Sequence, residues 1–117
     1  MSAGKLYFHL SFMLVLFLSR NDVPAQEIPD SLRQKLLSAT NDSVKARTLL
    51  DIGEAIEATA TDKSFAYYQQ ALALSKKIKN NKLILSSLND IGVCYIELNK
   101  MDSAIAIFGE AIPVAKE

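Results

Sequence analysis

The sequence predicts an all-α fold in which antiparallel helix pairs repeat to form a short right-handed α-solenoid. Three observations support this prediction. From Gln26 onward, the chain contains only three glycines and two prolines, so little interrupts regular structure. Apolar residues recur at intervals of three and four, which places them along one stripe of a helix. A segment also repeats after 39 residues, and such a period, with two helices in each unit, is typical of a solenoid.

The first 25 residues have the pattern of an export signal that precedes this fold. Lys5 gives a basic start, residues 6–18 form an apolar stretch, and Val23-Pro24-Ala25 offers a cleavage site with small residues. If the 13 residues of this stretch form a helix, its length is about 20 Å. This is shorter than the hydrocarbon core of a bilayer, which is roughly 30 Å thick. We therefore expect a signal peptide over residues 1–25 and an exported, periplasmic or extracytoplasmic protein, with an uncleaved anchor as the alternative.

The mature segment divides into a lead-in and four longer helices. The lead-in covers residues 26–42 and includes a short helix near 30–39. Longer helices are predicted near 43–59, 62–79, 81–98 and 101–115. Polar clusters rich in Asn and Asp separate them, and such residues cap helix starts or adopt the left-handed conformation at helix ends. Because the connections are short, consecutive helices are expected to be antiparallel.

An internal repeat groups the four long helices into two pairs. Residues 49–53 recur as residues 88–92 at an offset of 39, and residues 71–74 recur as residues 111–114 at an offset of 40. The extra residue falls in the turn between paired helices, where length is tolerated. The predicted repeats therefore cover about 43–80 and 81–117.

Small residues in the repeated segments are expected where two helices approach closely. Gly53 is predicted to face Ser64 or Ala66, and Gly92 to face Ala104. A glycine removes the Cβ atom that would otherwise hold the paired helices apart.

The repeated segments resemble the tetratricopeptide repeat family, whose pattern has Leu-Gly and Tyr in the first helix and Ala, Phe and Ala in the second. In the second copy, the matching residues are Leu88, Ile91, Gly92, Tyr95, Ala104, Phe108 and Ala111. In the first copy, they are Leu49, Ile52, Gly53, Tyr68 and Ala71, with Ile56 replacing Tyr and Ser64 replacing Ala. The period exceeds the family's 34 residues, as in its long-helix variants. The resemblance implies a non-enzymatic module that binds a protein partner through its concave face.

The residue types of the mature segment exclude several kinds of function. The single histidine, His9, lies in the predicted signal, and Cys94 is the only cysteine. Zinc sites built from His and Cys and Ser-His-Asp catalysis therefore lack their essential residues. Over the whole chain, 13 basic residues balance 13 acidic ones, which gives no support to broad nucleic-acid binding. We predict no catalytic residue, cofactor or metal site.

Several carboxylates, lysines and the cysteine are of types that also occur in functional sites, but we expect each of them to have a structural role. Asp51, Glu54 and Glu57 lie three apart and are expected to form a solvated acidic face. Cys94 is expected to be a buried small apolar residue. The lysines at positions 76, 77, 79 and 82 are expected to end a helix, where positive charge complements the helix dipole.

The concave face is formed in the family by the first helix of each pair. The candidate peptide-binding residues are Arg47, Asp51, Glu54, Ser86, Asn89, Asp90 and Val93, with Ala58 and Glu97 beside them. Because this face is mostly acidic, a neutral or basic peptide is the expected ligand.

A second hypothesis comes from the start of the first long helix. Residues 41–50 read Asn-Asp-Ser-Val-x-Ala-Arg-x-Leu-Leu, which resembles the extracytoplasmic parts of bacterial sensor kinases and transcriptional regulators. This implies the N-terminal sensor or scaffold segment of a longer signal-transduction protein. Solenoids generally need about three repeats, and Ile112 and Val114 are expected to lack a covering helix. The chain is therefore expected to continue or to self-associate through its last helix.

Overall fold

The computed structural model describes residues 28–117, and the predicted signal peptide lies outside this part. Five α-helices and no strand occupy the described residues, which confirms the all-α prediction. They are α1 (Asp30–Ser38), α2 (Asp42–Ile56), α3 (Thr61–Lys77), α4 (Asn81–Glu97) and α5 (Met101–Ala115). Each helix packs against the next in the chain, and α2 also contacts α4. Over residues 28–117, none of the helices has both the length and the apolar character of a membrane span.

Asparagine side chains cap the starts of two helices, as their polar clusters predict. The Asn41 side chain accepts a hydrogen bond from the Val44 backbone N–H at 2.9 Å, and Asn80 accepts one from the Leu83 N–H at 3.1 Å. Each bond satisfies one backbone donor that the first turn of a helix leaves without a partner. The caps therefore fix where α2 and α4 begin.

Helices α3 and α4 end in the same way. Lys79 and Asn99 follow the two helices with φ values of 56° and 57°. The next N–H then reaches back into the last turn, from Asn80 to the Ser75 carbonyl and from Lys100 to the Tyr95 carbonyl. This is the Schellman arrangement. It stops each helix and reverses the chain.

The core lies between α2, α3 and α4. Its fully buried side chains include Leu50, Tyr68 and Cys94, one from each of these helices. The partly exposed rings of Phe65 and Tyr95 add an edge-to-face contact between α3 and α4, with centroids 5.1 Å apart. Burial of these apolar groups is the main force that holds α3 between its two neighbours.

The glycines sit against aromatic rings, which partly corrects the predicted neighbours. Ser64 does face Gly53, since its hydroxyl donates to the Gly53 carbonyl at 2.7 Å, but Ala66 is exposed. The space that a Cβ atom would occupy at Gly53 is filled by the Tyr68 ring. The Phe108 ring, rather than Ala104, fills the equivalent space at Gly92. Each glycine thus admits an aromatic side chain from the paired helix.

The outer face of α5 leaves large apolar side chains uncovered. Ile105 is 65% exposed and Ile112 is 56% exposed, and none of the described helices covers them. Val114 is only partly exposed. The prediction of an open apolar face is therefore confirmed for Ile112 and only in part for Val114.

Candidate functional site

The candidate peptide-binding residues lie on α2 and α4, which are held side by side by their shared contact with α3. On α2, Arg47 and Glu54 are exposed and Asp51 is partly buried. On α4, Asn89 and Val93 are exposed, whereas Ser86 and Asp90 are partly buried. We call this surface, formed by the seven candidate residues, the α2–α4 face.

Asp51 is partly neutralised by two basic residues. Its carboxylate lies 3.2 Å from Arg47 Nε and 3.6 Å from Lys35 Nζ. The contact with Arg47 follows from their spacing of four residues along one helix. Lys35, by contrast, belongs to the lead-in helix α1, which lies outside the repeats. The spacing of residues in the sequence therefore did not predict its contact with Asp51. Asp51 therefore helps to hold α1 against α2.

Asp90 is the carboxyl group of this face whose ionisation is most strongly disfavoured. Burial, together with the negative charges of Glu54 and Glu57, raises its pKa to about 6. The Asn89 side chain and the charge of Arg47 act in the opposite direction. Carboxyl groups from α2 and α4 therefore lie close enough to influence one another. The positive charge of Arg47 does not fully offset their negative charges.

Replacing Asp90 with asparagine is expected to stabilise the fold at pH 7 by about 1 kcal/mol. The pKa of Asp90 is higher in the folded protein than its unfolded value of 3.8, so the protonated carboxyl favours the folded state. This stabilisation is fully present below pH 3.8 and is lost as the pH rises through about 6. Partial exposure reduces the effect below the full linkage value. Urea unfolding at pH 7 and pH 4 measures it. A variant that gained as much stability at pH 4 as at pH 7 would contradict this origin.

Glu57 departs from the predicted solvated acidic face. It is partly buried, and its carboxylate accepts hydrogen bonds from the Tyr68 hydroxyl at 3.2 Å and the Cys94 thiol at 3.7 Å. Tyr68 belongs to α3 and Cys94 to α4, so one carboxylate joins three helices. The prediction of a solvated face holds for Glu54 and is wrong for Glu57, because α4 packs over the end of α2.

Cys94 is fully buried, as predicted. Burial, together with the nearby Glu57 charge, raises the pKa of its thiol to about 12. Since the thiolate is the reactive form of cysteine, this side chain is a poor nucleophile at neutral pH. Burial likewise raises the pKa of Tyr68. In residues 28–117, no group of His, Cys, Asp and Glu side chains is arranged to hold a metal ion.

The lysine run divides between two helices. Lys76 and Lys77 lie in the last turn of α3, as predicted, and pair with Glu110 at 2.8 Å and Asp42 at 3.2 Å. Lys79 occupies the left-handed position in the turn. The prediction is wrong for Lys82, which lies in the first turn of α4 and borders the α2–α4 face. The Schellman turn separates Lys76 and Lys77 from Lys82, and it falls close to the boundary between the helices predicted near 62–79 and 81–98.

Comparison with known proteins gives one match. The profile of the family described as tetratricopeptide repeat matches residues 44–117, which include α3 to α5 and all but the first two residues of α2. No curated protein and no solved structure matches the chain. The matched segment carries every residue of the α2–α4 face.

Proposed function

Because this chain belongs to the tetratricopeptide repeat family, whose repeats generally mediate protein–protein interaction, we propose that it binds a peptide segment of a partner protein through the α2–α4 face. The proposal includes no enzymatic activity. The observation that supports it best is the negative charge that α2 and α4 bring together at Asp90, where burial and the charges of Glu54 and Glu57 disfavour ionisation. A basic side chain placed there would relieve this repulsion. The partner segment is therefore proposed to be basic, or neutral with hydrogen-bond donors.

Charge reversal is expected to weaken this binding at least tenfold. The variant Glu54→Lys/Asp90→Lys replaces attraction of a basic ligand with repulsion, and it leaves Asp51 in place to hold Lys35 and Arg47. A partner identified by crosslinking in the native cell envelope is titrated against the variant, with circular dichroism to confirm the helices. The matched control is Asp62→Lys/Asp102→Lys, which reverses two exposed acids on α3 and α5. Equal affinity of the test variant and the unmodified protein would contradict the groove assignment.

We further propose that the protein is exported and acts in the periplasm or another extracytoplasmic space. The support is the basic start, the apolar stretch of residues 6–18 and the following Val23-Pro24-Ala25. N-terminal sequencing of the natural protein tests this proposal. A mature chain that began at Gln26 would support signal cleavage, whereas a natural protein that retained Met1 in the cytoplasm would overturn export.

A second candidate function is a sensor or scaffold segment of a longer signal-transduction protein, such as a histidine kinase or transcriptional regulator. The exposed apolar side chains Ile105 and Ile112 favour it, since a further helix or a second copy of the chain would cover them. An intact mass of the natural product distinguishes these cases. A mass equal to residues 26–117 alone would eliminate the longer protein and leave self-association through α5 as the proposed cover.

A further inference from the structure

The α2–α4 face has a basic end as well as an acidic one. Helices α2 and α4 run parallel, because each is joined to α3 by a short turn and packs against it. Their N-terminal ends therefore lie at the same end of the face. At this end, a cleft of about 460 Å³ is lined by Ser43, Arg47, Asn80, Lys82, Leu83 and Ser86. The lining includes two basic side chains, from two different helices, and no acidic one.

The opposite end of the face is acidic. Glu54 lies in the last turn of α2, Glu97 is the last residue of α4, and neither helix has a basic residue in its last turn. Asp90 lies between the two ends and is influenced by Arg47 on one side and Glu54 on the other. The face therefore carries a charge gradient along the helix axes.

On α4, this gradient does not serve helix stability. Helices are stabilised by acidic residues in the first turn and basic residues in the last. Helix α3 follows that rule with Asp62 in its first turn and Lys76 and Lys77 in its last. Helix α4 has the reverse arrangement, with Lys82 in its first turn and Glu97 at its end. The helix dipole is positive at the N-terminal end of α4, where Lys82 lies, and negative at the end with Glu97. It therefore strengthens the charge gradient of these side chains.

We propose that this gradient orients the partner peptide: an acidic group of the peptide enters the cleft between Arg47 and Lys82, and a basic group lies against Glu54 and Asp90. The proposal rests on the proposed function and specifies its ligand. Arg47 and Glu54 are seven residues apart, or about 10 Å along a helix. An extended peptide covers that distance in about three residues. The recognised segment thus has its acidic and basic groups separated by three or four positions.

Four labelled peptides test the orientation by fluorescence anisotropy at low salt. Two have separated charges in opposite orders, Asp-Asp-Ala-Ala-Lys-Lys and Lys-Lys-Ala-Ala-Asp-Asp. The third, Asp-Lys-Ala-Ala-Lys-Asp, has the same composition with mixed charges, and the fourth, Lys-Lys-Ala-Ala-Lys-Lys, is wholly basic. One of the two separated peptides is expected to bind at least fivefold more tightly than both its reverse and the mixed peptide.

Variants of the cleft identify the source of this preference. Lys82→Gln alone and Arg47→Gln/Lys82→Gln are expected to remove the preference for one of the two separated peptides over its reverse. The control Lys45→Gln/Lys100→Gln removes two positive charges outside the cleft lining and is expected to retain it. If the basic peptide binds but no order is preferred, or the cleft variants keep the preference, the orientation is overturned and the proposed function stands. If none of the four peptides binds, the orientation and the basic partner segment are both overturned, and the proposed function is reduced to its neutral ligand.

Discussion

Replacing Gly53 with alanine is expected to lower the free energy of unfolding by about 2 to 3 kcal/mol. An added Cβ atom would lie 2.7 Å from Cδ1 and 2.9 Å from Cζ of the Tyr68 ring. Tyr68 is fully buried and bonded to Glu57, so the ring cannot move aside without disturbing the contact between α2 and α3. This steric cost exceeds the roughly 1 kcal/mol that alanine gains over glycine within a helix.

Two other glycines provide graded controls for this prediction. At Gly109, an added Cβ atom meets nothing within 4 Å, so Gly109→Ala is expected to stabilise the fold by up to about 1 kcal/mol. At Gly92, the added atom meets the ring of Phe108, which is only partly buried and so is less confined than the ring of Tyr68. Gly92→Ala is therefore expected to cost less than Gly53→Ala. Urea unfolding measures all three variants, and equal stabilities for Gly53→Ala and Gly109→Ala would contradict the packing described.

Replacing Leu50 with alanine is expected to lower the free energy of unfolding by about 2 to 5 kcal/mol, the range for a large core side chain. Leu50 has no exposed surface and belongs to the cluster that joins α2, α3 and α4. The loss combines the transfer free energy of the removed methyl groups with the cavity that remains. In a chain with few layers of packing, a change of this size removes much of the total stability.

The same substitution at an exposed leucine supplies the control. Leu37 is 81% exposed on α1, so Leu37→Ala is expected to change the free energy of unfolding by less than about 0.5 kcal/mol. Urea midpoints for the two variants report the difference directly. Similar midpoints would show that Leu50 does not occupy the core, and a large loss from Leu37→Ala would show that its side chain is covered in solution.

The positions of the helices were predictable because they depend on short-range properties of the chain. Apolar spacing marked each long helix, and α2 ends only three residues before its predicted limit near 59. Asn41 and Asn80 cap helices because their side chains reach backbone donors three residues ahead. The need for small residues at positions 53 and 92 was also visible in the repeat, although the rings that require them were not.

The candidate site was less predictable, because its properties depend on contacts between helices distant in sequence. Glu57 seemed to belong to a solvated face, yet Cys94 reaches it across 37 positions of the chain. Asp51 was also expected to lie on that solvated face, yet its carboxylate pairs with the Lys35 side chain of α1. Neither contact has a regular spacing, and both depend on how α1 and α4 pack around α2.

By itself, the sequence determined the helices, their caps and the family, since periodicity and turn chemistry are local and a repeated pattern is recognisable without coordinates. Only the tertiary structure decided the electrostatic character of the α2–α4 face. It gave Asp90 its raised pKa and placed Lys82 with Arg47 at one cleft. The physical reason is that pKa values and ion pairs depend on distance and burial, which a linear sequence does not contain.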